Sequence, residues 1–383
     1  MARSYAGLPG RAPLAEANQS EGVPVRIIHE PPAPTADLAA HPSRLEAAPT
    51  QIRPALPMTS ILVANQGAVG DFILSLPAVE ALHMTFPRAR LTFLANPGTV
   101  EIIRGRPYLA TVLDCRSSRW APLYGEGGRV AFASFGISPP VGGIFVFGRP
   151  SSRILVDNLA AVLNAPAHRI DPFPEPGSGL SVTEYQCRQL TALGVTALPP
   201  PPAVIAPAPE DGTEAAAIVQ HLVEPEERLV LIHPGSGGRE KIWAPAGWIA
   251  LISRLLAQPR LRLGLIQGPA DDDILRRLHE SLELSRVLPF RNLRLGLLAG
   301  IMAHGASYVG NDSGITHLAA ACGVPTIALF GPTDPLLWAP RGPAVRVIRW
   351  HPEHADPGPV TERIWEQLAR VMHETLWREG EGG

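Results

Sequence analysis

An α/β fold built from two parallel-sheet halves that face each other is what this sequence predicts, and three features predict it. From Ile61 onward, short β-rich runs alternate with amphipathic stretches, the pattern of parallel sheets covered by helices. A proline cluster, LPPPPAVIAPAPEDG at 198–212, divides that series in two, because runs of proline stay extended and continue neither a helix nor a central strand. The 383 residues suffice for about two to three domains.

Residues 1–58 precede both halves. They hold ten prolines and twelve alanines and no sustained period of 2 or 3.6 in their apolar positions. Such a composition cannot offset its ordering entropy by burial, so we expect a disordered, Pro/Ala-rich tail, with a docking segment for a partner as the alternative.

In the first half, expected over 59–200, ILVAN (61–65) predicts a buried strand and DFILSLPAVEALHMTF a helix bent at Pro77. RLTFLAN (90–96) predicts the next strand, PGTVEIIRG a short helix and ATVLDC (110–115) a third strand. RVAFASF and GIFVFG read as further strands, followed by a helix near 151–163. The second half, expected over 213–383, repeats the alternation. Its strands are RLVLIHP, LRLGLIQ, ASYVGN, VPTIALFG and VRVIRW; its helices lie near 244–257, 271–281, 293–304, 314–322 and 361–377. Two Rossmann-like domains across a cleft follow, and in such sheets ligands bind beyond the carboxyl ends of the strands.

Composition narrows the function. Hydrophobic residues at 45% allow a sizeable core, and a net charge of -2 gives no global polycationic surface for neutralising phosphates, so nucleic acid is not an expected partner. Cys115, Cys187 and Cys322 are odd in number and far apart, which points to a reducing compartment without structural zinc. No run approaches a membrane span and the first residues lack the apolar core of a signal peptide, so a cytoplasmic location is expected.

The loops after the strands carry the chemistry. Gly67-Ala68-Val69-Gly70-Asp71 follows the first strand, and Asp71 stands at a helix start, where an ordinary N-cap is the alternative to a functional carboxylate. The spacing is not GxGxxG, so no dinucleotide fingerprint is present. His233-Pro234-Gly235-Ser236-Gly237-Gly238, with Arg239 and Lys241 after it, can cradle an anion on exposed N–H groups, the alternative being a solvated flexible loop. In Asn311-Asp312-Ser313-Gly314-Ile315-Thr316-His317, Asp312 or Ser313 can cap a helix whose first-turn N–H groups suit phosphate, and His317 falls on the same face as Ser313. Gly331-Pro332-Thr333-Asp334-Pro335 could close over a ligand or be a plain turn. Asp271-Asp272-Asp273 complements a helix dipole without requiring a metal, and no His/Asp/Glu cluster has metal-ligand spacing. No GxSxG elbow and no Ser/His/Asp arrangement is read from the sequence.

Four segments together carry a family likeness. ILVANQGAVGDFILSLPAVEAL, VLIHPGSGGREKIWAPAGW, IQGPADDD and YVGNDSGITHLAAACGVPTIALFGPTDPLLWAP resemble, in this order, glycosyltransferase family 9, the ADP-heptose:lipopolysaccharide heptosyltransferases. The resemblance implies a GT-B fold and an inverting, metal-independent sugar transfer from a nucleotide sugar, ADP-heptose, with no cofactor. It implies Asp71 as the general base on the acceptor hydroxyl. It also implies Lys241, Asp312, Ser313, Gly314 and His317 as holders of the diphosphate, Ser236 as a further hydroxyl there, and Asp271 as partner of the ribose hydroxyls. The acceptor would be lipopolysaccharide core or a related glycan. Where family members often carry a basic residue before the GxxGD loop, this chain has Asn65-Gln66.

Between 86 and 153 stand nine arginines against three acids, a charge that suits an anionic glycolipid at the cytoplasmic face of the inner membrane; scattered solvated arginines are the alternative. Two other classes compete with the transferase. A GT-B-like nucleotide-sugar epimerase would need further acid/base groups near the sugar, and a non-catalytic nucleotide-sugar-binding protein would have no use for Asp71.

Overall fold

The computed structural model describes residues 26–28, 58–137, 140–201, 203–353 and 356–377. Its first half is a five-stranded sheet made of β2 (Ser60–Asn65), β3 (Arg90–Ala95), β4 (Leu109–Asp114), β5 (Gly143–Phe147) and β6 (Ala167–Ile170). It carries helices α1 (Val69–Thr85), α2 (Pro97–Val100), α3 (Arg153–Leu163) and α4 (Val182–Ala192). The strand order is β4-β3-β2-β5-β6, with every pair parallel. β2 and β5 are buried along their whole length, as apolar strands covered on both faces must be.

The second half is a seven-stranded sheet, of which the first strand is β1 (Arg26–Ile28) and the others are β7 (Arg228–His233), β8 (Leu261–Gln267), β9 (Val287–Arg291), β10 (Ser307–Asn311), β11 (Thr326–Phe330) and β12 (Val345–Arg349). Its helices are α5 (Pro209–Leu222), α6 (Pro245–Leu256), α7 (Asp272–Ser281), α8 (Leu295–Met302), α9 (Gly314–Ala321), α10 (Pro335–Trp338) and α11 (Gly358–Trp377). The order is β1-β12-β11-β10-β7-β8-β9, again all parallel. β1 lies within the segment expected to be a tail and adds to the edge of this sheet in register with Arg346–Ile348. The rest of that segment, up to residue 57, lies outside the described residues.

Three departures from the sequence reading have physical causes. RVAFASF is not a strand: Phe132–Phe135 is a 3-10 turn stopped by Gly136 at φ 58°, and its one buried residue, Phe135, packs on Trp120 at 4.9 Å. β9 contains Pro289, tolerated because β9 is the sheet's last strand and the missing N–H is not needed for pairing. The proline segment ends at Pro209, the first residue of α5, a position where proline fits the helix.

Strand order fixes where ligands can bind. In each sheet the chain reverses direction of growth once, between β2 and β5 in the first and between β7 and β10 in the second, and the crevice beyond those carboxyl ends is the binding position of open α/β sheets. The two halves share one apolar cluster, in which Phe72 and Leu76 of α1 join Leu297 of α8 and Leu318 of α9. Charged groups tie them as well. Asp211, fully buried on α5, pairs with Arg104 of the first half at 2.8 Å and with Arg294, which also reaches Glu101 at 3.2 Å.

Candidate functional site

The second sheet's reversal point is built from hydrogen bonds between loops that are far apart in sequence. Asn311, last residue of β10, accepts from the Trp243 N–H at 3.1 Å and donates to the Pro234 carbonyl at 2.7 Å, which fixes the glycine loop against β10. The Ser236 hydroxyl donates to the Asp312 carbonyl at 2.8 Å. Lys241 pairs with the Asp312 carboxylate at 2.9 Å, and the Thr333 hydroxyl donates to the same carboxylate at 2.7 Å. Ser313 caps α9 by accepting from the Thr316 N–H. The first turn of α9 therefore opens beside one ammonium group, with the partial positive charge of a helix N-terminus.

His317 is 4% exposed, one turn into α9, and its Nδ1 has no hydrogen-bond partner. Burial pushes its pKa down to about 4, with the Asp312 charge raising it and the Lys241 charge lowering it, so the ring is neutral near pH 7. Asp271 is also buried. Its Oδ2 lies 3.1 Å from His233 Nε2 and accepts from the Gly268 N–H at 2.6 Å. Burial acts to raise this carboxyl, but the His233 hydrogen bond and charge and the Gly268 N–H outweigh it and hold Asp271 below the usual carboxylate range. The other face of His233 meets Ser313: Nδ1 stands 3.2 Å from Ser313 Oγ.

The facing wall comes from the first sheet. Asn65 Oδ1 accepts from the Gly67 N–H at 3.0 Å and shapes the turn after β2, and Asp71 accepts from the Ala68 N–H at 3.3 Å in the first turn of α1. A Cβ on Gly67 would come within 2.7 Å of Asp71 Cβ, so only glycine lets this turn close on that carboxylate. Burial raises the Asp71 pKa above the ordinary value; the Ala68 N–H, Lys241 and Arg149 pull it down, and Asp312 pushes it up. Asp71 lines a cavity of about 550 Å³ together with Gln66, Tyr124, Arg149, Phe173 and Gln186. Arg149 follows β5 and lies over the Phe173 ring at 5.4 Å, while Phe173 contacts Trp338 of the second half at 5.0 Å.

The walls touch at two glycines. A Cβ on Gly314 would lie 2.8 Å from the Gly70 nitrogen, so the first turns of α1 and α9 are in backbone contact, and the His317 ring lies against Gly70. Asp71, Lys241, Asp312, Ser313, Gly314 and His317 are thereby gathered around one cleft. Ser236 and Asp271 belong to the same loop cluster, but their polar groups are engaged within the protein, Ser236 with the Asp312 carbonyl and Asp271 with His233 and Gly268.

The sequence reading assigned no role to His233, Phe173 or Trp338, and counted Arg149 only within the arginine excess over 86–153. His233 and Arg149 each follow a strand that borders a reversal point, which is the signal by which both could have been found. It also missed the Asp271–His233–Ser313 line, whose members are 38 and 80 residues apart. Among the described residues no group of three or more His, Cys, Asp or Glu side chains could hold a metal ion, and no helix is long and apolar enough to cross a membrane. Asp273 of the acidic run pairs with Arg276 and Arg239.

Comparison with known proteins agrees with this fold. Residues 201–364 match the model of glycosyltransferase family 9 (heptosyltransferase). The chain is 27% identical over 298 residues to lipopolysaccharide heptosyltransferase 3 of Escherichia coli, covering 71% of this chain and 83% of the relative. Over 110 residues, 28% of this chain and 29% of the relative, it is 38% identical to lipopolysaccharide heptosyltransferase 1 of Pseudomonas aeruginosa. Among solved structures it is similar to a family 9 glycosyl transferase from Veillonella parvula (TM-score 0.65, 19% identity, 78% of this chain and 88% of that one). It is also similar to ADP-heptose lps heptosyltransferase II of E. coli (TM-score 0.61, 18% identity, 81% and 99%). With its two parallel sheets in the GT-B arrangement and the match to glycosyltransferase family 9 over residues 201–364, the chain is a glycosyltransferase.

Proposed function

We propose that this protein transfers heptose from ADP-heptose to a lipopolysaccharide core or related glycan acceptor, by a single displacement that inverts the anomeric centre. The observation that carries the reading is the pairing of walls: Asp71 lines a cavity of about 550 Å³ in the first half, and the α9 N-terminus meets the first turn of α1 at Gly70, bringing Lys241 and Asp312 close enough to act on Asp71. Residues 59–200 are read as the acceptor domain and 213–383 as the donor domain, with 1–58 an extension whose role lies outside this reading. The relatives named above supply the donor and acceptor classes, heptose and lipopolysaccharide.

The chemistry follows from the charges. Attack of an acceptor hydroxyl on the anomeric carbon needs a base on the acceptor side and positive charge on the leaving-group side. Asp71, with its raised pKa, is a stronger base than an ordinary carboxylate and takes the hydroxyl proton. Lys241 and the N–H groups of Gly314 and the next residues neutralise the charge that grows on the departing diphosphate. Those groups supply the leaving-group stabilisation from the chain itself, which supports a metal-independent transfer. Ser236 and His317 border the same phosphates, and Asp271 shapes the nucleotide side through His233.

Of the cavity's lining residues, Tyr124, Ile154 and Arg149 are exposed, and Arg119, Arg129 and Arg153 of the same half are exposed as well. An apolar and cationic rim of this kind suits an anionic membrane surface at which a glycolipid acceptor is presented. Equal binding to anionic and neutral vesicles would remove that part of the reading.

The whole reading is tested by incubating ADP-heptose with heptose-free lipopolysaccharide core, following ADP release and acceptor mass for the wild type and Asp71→Ala. Acceptor mass should rise by one heptose in the wild type only. Stabilisation of the protein by UDP or GDP in preference to ADP would overturn the donor.

A further inference from the structure

Asp271, His233 and Ser313 form a continuous line of hydrogen bonds that ends at the cap of α9. One assignment of its protons satisfies every contact along the line. His233 Nε2 faces the Asp271 carboxylate at 3.1 Å, and a carboxylate is an acceptor, so Nε2 carries the hydrogen. In a neutral ring Nδ1 is then an acceptor, and the hydrogen in the 3.2 Å contact with Ser313 must be the hydroxyl's own. Ser313 Oγ also lies 3.2 Å from the Thr316 hydroxyl, where either atom can be the donor. Ser313 Oγ accepts from the Thr316 N–H, and the Thr316 hydroxyl is committed to the Asn311 carbonyl and meets the Tyr308 hydroxyl at 2.9 Å. With the hydroxyl turned to a neutral His233, Ser313 has no proton to offer an anion at the α9 N-terminus. With His233 protonated, Nδ1–H donates to Ser313 Oγ and the hydroxyl proton is free to turn outward.

We propose that Asp271, His233 and Ser313 are a proton-linked relay, in which binding of the nucleoside diphosphate draws one proton from solvent onto His233 and converts the Ser313 hydroxyl into a donor to the phosphates. The inference rests on the reading that the α9 N-terminus receives the diphosphate. No covalent bond changes; one proton is taken up with the ligand and released with it. His233 is a positioning residue, since it acts on the ligand through Ser313. A second buried group points to a ligand at the same place: the unpartnered Nδ1 of His317 on the next turn of α9.

The charged and titratable groups around the relay favour this. Asp271 on the far side of the ring supplies a fixed negative charge that stabilises the imidazolium. Lys241 and Asp312 lie beyond Ser313 and largely compensate each other as a pair at 2.9 Å. Tyr308 from β10, its hydroxyl pushed up by burial, stays neutral, as does His317 from α9. Asp71 lies across the cleft on α1. An incoming diphosphate adds negative charge next to Ser313, the direction that raises the proton affinity of His233.

The experiment is calorimetric titration of the full-length protein with ADP near pH 8, where ADP phosphates and an unperturbed histidine are both almost fully deprotonated, in buffers of different ionisation enthalpy. The slope of heat against buffer enthalpy should report uptake of about one proton in the wild type, falling to near zero in His233→Gln and in Ser313→Ala, with ADP affinity lowered roughly tenfold in each. His317→Asn should keep the uptake. ADP binding without proton uptake in the wild type, uptake retained in His233→Gln, or uptake lost in His317→Asn would each overturn the relay. Should His233→Gln fail to fold, Ser313→Ala tests the same proton with the histidine in place. Absence of any ADP binding would instead refute the donor-site reading and the relay with it.

Discussion

Gly314 is the position at which one methyl group should separate catalysis from stability. It opens α9, and a Cβ there would stand 2.8 Å from the Gly70 nitrogen and 3.0 Å from Val69 Cβ, in the first turn of α1. Carbon atoms in ordinary contact are about 3.5–4.0 Å apart, so Gly314→Ala requires the two helices to part by roughly 0.5–1 Å. Overpacking of this size costs about 1–3 kcal/mol, and the alanine returns about 1 kcal/mol of helix propensity, leaving a loss of about 0–2 kcal/mol. At roughly 2–4 °C per kcal/mol, the melting temperature should fall by no more than about 8 °C. Catalysis should suffer far more. Asp71 stands on the same turn of α1 as Gly70, so the displacement widens the gap between base and donor loop, and an error near 1 Å costs about 100-fold in rate. Turnover, read as acceptor mass gain, and thermal unfolding are measured on the same preparation. Gly212→Ala on α5, where the nearest atom to the new methyl is 3.9 Å away, controls for added helix propensity. Turnover of Gly314→Ala within a factor of about two of wild type would refute the close-approach argument, because a rate difference that small corresponds to less than about 0.5 kcal/mol of transition-state energy.

Asp71→Asn should lower turnover by about 10²–10⁴-fold without lowering the melting temperature. Because burial raises the folded-state pKa of Asp71, its contribution to stability is present at acid pH and is lost as pH rises through that raised value, so the variant should gain on the wild type toward neutral pH; a gain confined to acid pH would contradict the sign. Wild-type kcat should fall on acidification at a pH above the ordinary carboxylate range, as the base is protonated. Lys241→Met leaves the nearly buried Asp312 carboxylate with Thr333 alone and should cost about 1–2 kcal/mol in urea unfolding, largely restored by adding Asp312→Asn; no restoration would mean that the pair contributes through something other than charge. Asp211→Ala removes the buried carboxylate between Arg104 and Arg294. The loss should be roughly 2–3 kcal/mol, below the usual 3–5 kcal/mol for a broken buried pair because both arginines reach solvent, and an unchanged unfolding midpoint would refute the clamp.

How much of this was legible in the sequence depended on how contiguous the signal was. The donor loops could be read because each is a short run at a strand end: PGSGG after β7 and NDSG before α9. Their backbone geometry is local, so glycines and caps announce it. The opposing wall is assembled from Asp71, Tyr124, Arg149 and Phe173, which no run of sequence brings together. β6 went unread because its four residues are mostly half-buried and lack the apolar run of the inner strands, and α4 because its polar face dominates VTEYQCRQLTA. The arginine excess over 86–153 was legible as a count but not as a surface. Arg90 and Arg104 bind carbonyls and Asp211, Arg116 is held by Asp114, and of the set Arg149 lines the cavity.

On the proposed reading, a chain with a net charge of -2 presents an anion-selective cleft because the relevant charges are local and already paired. Lys241 rests on Asp312, and Arg149 rests on an aromatic face, so neither cation is held beside another without compensation. The first turns of α1 and α9 meet at Gly70 and Gly314, which brings two partial positive charges together at backbone distance, and Asp71 offsets them from within one of those turns. On the proposed reading, the donor must compete with Asp312 for Lys241. Asp312 keeps its Thr333 hydrogen bond when the lysine leaves, which lowers the penalty of that exchange. A ligand with one negative charge gains little by replacing one carboxylate, whereas a diphosphate brings more charge than it displaces and can also occupy the helix N–H groups. Selectivity for the diphosphate over a nucleoside or a monophosphate then follows from the ion pair that occupies the site in the ligand's place.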